Sequence, residues 1–203
     1  MNIQCFTFNP FHENTYVIWD LTHKCIIIDP GCYTNKEKEE ILNFIKENNL
    51  VPYKIINTHC HIDHIFGNSF IRNEWDIELS IHKKDLTNLT QSSKIAEMYG
   101  FKDYLESPNP NNFIEEGDII RFGESEFIVL FTPGHSPGHI CLYSQKNNVL
   151  IGGDLIFKES IGRTDLPGGN HKIMMKSVEK ILNLKDQTSI YPGHGPYTTI
   201  QNE

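Results

Sequence analysis

No stretch of this 203-residue chain approaches the roughly 20 consecutive apolar residues that a bilayer-spanning helix needs, so no membrane segment is expected. Lysine and arginine number 18 against 26 aspartates and glutamates, and they form no cluster. A net charge of −8 without a basic patch argues against nucleic acid as a partner. The five cysteines, Cys5, Cys25, Cys32, Cys60 and Cys141, contain no C-x-x-C pair, and their odd number fits free thiols in a reducing compartment. Met1-Asn2-Ile3-Gln4-Cys5 shows no positive region followed by an apolar one, so no secretory signal is read and a cytoplasmic location is expected. Linker-like segments and short-period repeats are also lacking. With 38% hydrophobic and 22% charged residues, the composition describes one globular domain over residues 1–203.

What the chain has is a series of short apolar runs punctuated by glycine and proline. Ile3 to Phe8, Thr15 to Trp19 and Cys25 to Ile28 read as strands, the last ending in Asp29-Pro30-Gly31. Thr34 stands three residues before Glu37 in a capping-box pattern, and Ile41, Leu42, Ile45 and Leu50 keep helical spacing, which predicts a helix from about Asn35 to Asn48. Tyr53 to Asn57 returns to strand after Pro52, completing a βαβ-type unit. Further on, the pattern predicts a short helix over Gly67 to Trp75, a strand over Ile77 to Ile81, a weakly patterned helix over Lys84 to Tyr99 and a loop over Ser107 to Asn112. Ile119 to Phe122, Glu126 to Phe131, Ile140 to Tyr143 and Val149 to Ile151 read as strands, His171 to Leu184 as a helix and Ser189 to Tyr191 as a last strand. Each half therefore runs from strands through helix to strand, a doubled core within one domain.

The chemistry concentrates in Thr58-His59-Cys60-His61-Ile62-Asp63-His64, at the end of the apolar run Ile55-Ile56. An extended backbone turns every second side chain to one side, so His59, His61 and Asp63 are expected to converge while His64 faces a neighbouring point. That alternation turns Cys60 away, as a small packed residue. The pattern predicts a site for two adjacent metal ions, completed by residues from elsewhere. Three candidates follow strands in the second half: His135 in Thr132-Pro133-Gly134-His135, Asp154 after Gly152-Gly153, and His194 in Pro192-Gly193-His194-Gly195. Arg163 stands in a further loop, between Gly162 and Thr164. His12, His23, His82, His139 and His171 are read as packed or solvated, His139 being only four residues from His135. Gly134-His135-Ser136-Pro137-Gly138 formally matches the G-x-S-x-G elbow of serine hydrolases. That elbow needs a backbone N–H after the serine, and Pro137 has none, so Ser136 is rejected as a nucleophile.

Together, His59-Cys60-His61-Ile62-Asp63-His64, His135, Asp154 and His194 resemble the metallo-β-lactamase superfamily in order and over nearly the whole chain. Within it, Gly153-Asp154-Leu155-Ile156-Phe157-Lys158, Gly162-Arg163-Thr164-Asp165 and Pro192-Gly193-His194-Gly195-Pro196 resemble the short, single-domain glyoxalase II-like hydrolases. The resemblance implies an α+β fold, a four-layer αββα sandwich with two divalent metal ions at one edge of its sheets. It implies that His59, His61 and His135 hold one ion, that Asp63, His64 and His194 hold the other, and that Asp154 bridges them. Asp63 and Asp154 are thereby the carboxylates at the reacting centre, and Arg163 falls where the family has a cation near glutathione. Full-length glyoxalase II enzymes continue past the position of His194 into a helical domain that grips glutathione, which this chain is expected to lack. Asp165 also replaces an aromatic residue of that site.

Imidazoles and carboxylates suit zinc, with iron or manganese as alternatives. The activity implied is hydrolysis of a small thioester such as S-lactoylglutathione by a metal-bound hydroxide, the leaving thiolate, of pKa about 8.5, needing little help from an acid. The zinc β-lactamases of the commonest type carry cysteine where Asp154 stands, and diiron flavoprotein-type members carry glutamate in place of His61, so both fit poorly. The persulfide dioxygenase branch shares Asn57-Thr58-His59-Cys60-His61 and Gly162-Arg163-Thr164-Asp165 but uses one iron, held by residues matching His59, His135 and Asp154. It stands as the alternative, beside hydrolysis of another small ester or lactone.

Overall fold

A computed structural model describes residues 1–203. Six strands form the first sheet in chain order: β1 (Asn2–Phe8), β2 (Glu13–Trp19), β3 (Lys24–Ile28), β4 (Val51–Ile56), β5 (Glu78–Ile81) and β6 (Asn112–Phe113). β1 to β3 are antiparallel, and β3 to β6 run parallel. The second sheet uses β7 (Ile119–Phe122), β8 (Ser125–Phe131), β9 (Ile140–Ser144), β10 (Val149–Gly153), β13 (Ser189–Pro192) and β14 (Thr198–Thr199), in the order β14-β13-β10-β9-β8-β7. A small hairpin, β11 (Ile156–Phe157) with β12 (Ser160–Ile161), lies between β10 and the last helix.

Strand alternation distributes apolar side chains between layers. In β3, Ile26 and Ile28 join Ile18, Ile56, Phe127, Val129, Leu142 and Ile151 in a core between the sheets. The alternate residues, Cys25 and Ile27, face the other way and pack with Ile41, Ile45 and Ile71 of the helices α1 (Asn35–Glu47) and α2 (Asn68–Trp75). On the far side, Cys141, Tyr143 and Leu150 pack against Met174, Val178 and Ile181 of α5 (His171–Leu182). The result is the four-layer αββα sandwich, in which both sheets are covered on both faces.

The capping box at α1 is present: Thr34 Oγ1 accepts the Glu37 N–H, and Glu37 returns a carboxylate oxygen to the Thr34 N–H. Several boundaries differ from the sequence pattern, among them β2, which starts at Glu13, and α5, which ends at Leu182. β4 begins two residues earlier than expected and runs through Pro52, which sits where the pairing with β3 shifts register between Cys25 and Ile26, so its missing donor is tolerated. The expected single helix over Lys84 to Tyr99 is a 3₁₀ turn (Lys83–Asp85) followed by α3 (Leu86–Thr90) and α4 (Ser92–Tyr99), with Gln91 a turn residue between them at φ −91° and ψ −2°. The stretch taken as a loop ends in a strand residue, because Asn112 and Phe113 add an edge to β5.

Candidate metal centre

The sheets meet at one edge, and there the strand ends deliver their polar residues. β3 leads into Asp29, β4 into His59, β8 into His135, β10 into Asp154 and β13 into His194. Bonds across the seam hold the two halves together. Ile140 N–H donates to Thr58 O at 2.9 Å, and the Tyr16 hydroxyl donates to Pro192 O at 2.6 Å. Asn14 uses its side-chain amide on both Pro192 O and Gly195 O, at 3.1 and 2.8 Å.

Six of the seven candidate donors fall in two groups, His59, His61 and His135 in one and Asp63, His64 and His194 in the other, and Asp29 forms a further group with His59 and His64. Simple alternation through His59, His61 and Asp63 is corrected here. The extended backbone stops after His61, and Ile62–His64 form a 3₁₀ turn that swings Asp63 to the side of His64. Asp154 stands between the groups. Its Oδ1 lies 3.5 Å from His64 Nε2, and its Oδ2 lies 3.4 Å from His135 Nε2 and 3.5 Å from His194 Nε2. Gly193 makes that approach feasible, since a Cβ there would overlap Asp154 Oδ1.

The donor set fits cations. In the first group, His135 Nε2 is 2.8 Å from His61 Nδ1 and 3.2 Å from His59 Nε2, three ring nitrogens aimed at one another that hydrogen bonds alone do not satisfy. Next to it, His64 Nε2 and Asp154 Oδ1 are buried without a hydrogen-bond partner. Burial pushes His61 down to about 4, and it also pushes His59 well below the usual histidine value, helped by neighbouring imidazoles, so both rings present lone pairs. Asp154 is an anion: burial opposes its charge, but His64, then His135 and His194, hold it well below the carboxylate range. The opposite balance governs His64, where burial is outweighed by Asp63 and Asp154 and the ring is raised well above its usual value. On this acidic side a cation and the His64 proton are alternatives, which couples metal binding to proton release.

Distal ring nitrogens are held too, as orientation of metal-binding imidazoles requires. The Thr58 hydroxyl donates to Asp29 Oδ2 at 2.6 Å, and therefore accepts from His59 Nδ1 at 3.1 Å, leaving His59 Nε2 free. His64 Nδ1 donates to Asp29 Oδ2 at 3.2 Å, and His135 Nδ1 to the backbone carbonyl of Arg163 at 2.7 Å. His194 Nδ1 faces the carbonyls of Phe11 and His12. Asp29 and Glu13 are contributors that sequence reasoning missed, whereas His139 is packed, as expected. Asp29 had a signal, a carboxylate ending a strand in Asp29-Pro30-Gly31. Glu13 had none: it lies in a strand, wholly buried, with Oε1 4.0 Å from His64 Nδ1. His139 is no donor of either group and instead accepts the Asp154 N–H. Arg163 is at the rim, where Nε and an Nη bind both oxygens of Asp165 at 2.8 and 2.6 Å.

The Metallo-beta-lactamase superfamily matches the chain over residues 8–194. The chain belongs to this superfamily. Hydroxyacylglutathione hydrolase GloC of Haemophilus influenzae is 32% identical to this superfamily member, the match covering 100% of the chain and 94% of that protein. Among solved structures, the BLEG-1 B3 metallo-β-lactamase superposes with a TM-score of 0.89 at 32% identity, covering 99% of this chain and 95% of its own. TTHA1623, crystallised in a di-iron-bound form, gives 0.87 at 33% identity, covering 98% and 95%. Family and donor cluster together describe a metal-dependent hydrolase built for divalent ions.

Proposed function

We propose that the protein is a thioesterase of the glyoxalase II type, acting on S-lactoylglutathione or related small hydroxyacyl thioesters. The observation that carries the reading is the position of Asp154 between two three-donor groups, with Oδ2 3.4 Å from His135 in one and 3.5 Å from His194 in the other, and Oδ1 3.5 Å from His64. His59, His61 and His135 would hold one ion, Asp63, His64 and His194 the other, and Asp154 both. Zinc suits this set, and iron is supported by the di-iron form of a relative at 33% identity. Ions held there supply polarisation of a carbonyl and a water acidified toward neutral pH.

The chain's own groups do the rest. Asp63 and Asp154, both held ionised by neighbouring imidazoles, bring the negative charge that would offset two cations in one small space. The braces on His59, His64, His135 and His194 fix which nitrogen points inward, so the donors need no reorganisation when substrate arrives. A thioester matches a site whose buried side chains are committed to donor roles, because a thiolate of pKa about 8.5 departs without a general acid. The name of the Haemophilus relative supports the same bond. Arg163 is the candidate contact for a substrate carboxylate, in competition with Asp165.

Elemental analysis of protein purified without added metal, followed by assay on S-lactoylglutathione, tests the proposal. Two ions per chain and thioester hydrolysis abolished by chelation are expected. One iron per chain, with oxygen consumed in the presence of glutathione persulfide and no thioester cleaved, would replace the reading by the dioxygenase alternative.

A further inference from the structure

A carboxylate outside the donor set reaches both loops that carry the first donor group. Asp85 is completely buried, at the end of the 3₁₀ turn Lys83–Asp85. Its Oδ2 accepts the backbone N–H of Cys60, the residue between His59 and His61. Its Oδ1 accepts the Ser136 hydroxyl and, at 2.8 Å, the backbone N–H of Gly138, both in the loop that starts at His135. Gly138 permits this approach, since a Cβ there would crowd the backbone nitrogen and Cβ of Asp85. Asn88 closes the network by donating to Ser136 Oγ at 3.0 Å. Ser136, disqualified as a nucleophile by Pro137, acquires a use as a donor to Asp85.

We propose that Asp85 is a positioning residue that sets the spacing of the first metal group, tying the His59–His61 loop to the His135 loop through a single carboxylate. The second group has a different carboxylate behind it, Asp29, which holds His64, while His194 leans on backbone carbonyls. Three donors meet this carboxylate from loops 51 to 53 residues away along the chain on one side and 25 on the other. Beside the Ile140 N–H bond to Thr58 O at the strand ends, Asp85 is the link between the loops themselves, which place the ring nitrogens of His61 and His135 2.8 Å apart. The proposal rests on the donor assignment and not on the thioesterase reading, and its test uses zinc without substrate.

Asp85→Asn keeps the size of the side chain but turns one acceptor oxygen into an amide that must face an N–H or O–H donor. We would measure zinc affinity by competition with a chromophoric chelator in two backgrounds. In His194→Ala, where the first group is intact, Asp85→Asn is expected to weaken zinc about 10- to 100-fold, the usual cost of losing support behind a ligand. In His61→Ala, where the first group is crippled, the same substitution should change affinity by less than about threefold. Equal weakening in both backgrounds, or none in either, would overturn the proposal. Should Asp85→Asn fail to unfold cooperatively in urea, Ser136→Ala takes its place. It removes one donor, leaves the carboxylate, and should weaken zinc about fivefold in the His194→Ala background alone; no weakening there overturns the proposal. Wild-type protein that binds no zinc would overturn the donor assignment and this proposal with it, whereas two zinc ions without thioesterase activity would overturn the substrate reading only.

Discussion

The backbone N–H of Asp154 donates to His139 Nε2 at 3.0 Å, and the His139 ring donates in turn from Nδ1 to Thr132 Oγ1 at 2.9 Å. His139 thus supports the central carboxylate from beneath without being a donor to either group. His139→Ala should destabilise the fold by about 1–3 kcal/mol, the cost of orphaning a buried N–H, while two ions still bind. Asp154→Ala should lower occupancy of both groups. Urea unfolding and elemental analysis separate the two; matching metal loss in both variants would show that His139 has been misassigned.

Asp29 accepts the Thr58 N–H at 2.7 Å and the Thr58 hydroxyl at 2.6 Å, and it also takes His64 Nδ1–H. Its replacement by asparagine removes an acceptor on the face shared by Thr58 and His64. We expect zinc affinity at the second group to fall about 10- to 100-fold. Titration of the Asp29→Asn protein in a His61→Ala background reads that group by itself, and wild-type affinity there would remove Asp29 from the site.

Chelated protein should lose stability as the pH falls. Burial holds His61 at about 4 and His139 at about 3, both below the value of roughly 6.5 in an unfolded chain. Between these limits the unfolded chain binds protons that the folded one refuses, so stability present above about pH 6.5 is lost toward pH 4, by roughly 1.4 kcal/mol per pH unit for each such ring. His64, shifted upward, contributes no loss in this window because both states are protonated below 6.5, and Glu13, raised by burial, takes up a proton in the folded state as the pH falls and offsets part of the loss. Urea midpoints in excess chelator at pH 7 and 5 measure the slope; a flat profile would contradict the buried, neutral rings.

Arg163 and Asp165 form an exposed two-point pair, which a carboxylate binding at Arg163 would have to open. Exposed pairs are weak, so the competition is even. Arg163→Ala should raise KM for S-lactoylglutathione more than it lowers kcat, and Asp165→Asn should lower KM by up to about fivefold. A neutral acyl thioester should respond to neither. Unchanged KM values for the glutathione substrate would remove Arg163 from substrate binding.

Much of the architecture was legible because it follows from short-range patterns. Alternating apolar residues in β3 fill two cores at once, and Thr34 with Glu37 marks the start of α1. That the seven candidate donors would meet was legible from their types and their places after strands. Their grouping came only from the family resemblance and not from alternation, because the 3₁₀ turn at Ile62–His64 changes the period within the motif itself. Asp85 and Glu13 left no trace in the sequence: each acts on residues brought near by the fold, and an acidic residue in a strand or turn ordinarily faces water. The break at Gln91 was hidden for a related reason, since the apolar spacing from Lys84 to Tyr99 is too weak to tell one helix from two.

The bonds from Asn14 and Tyr16 to the Pro192–Gly195 loop span 176 to 181 residues of sequence. Contacts this distant form late, after the entropy of closing almost the entire chain has been overcome. His59, His61 and Asp63 are neighbours from the start, whereas His194 reaches them only once the final strand has docked. The second donor group is therefore a record of completed folding: a nascent chain still lacking β13 has every residue of the histidine motif and no means of closing it around an ion.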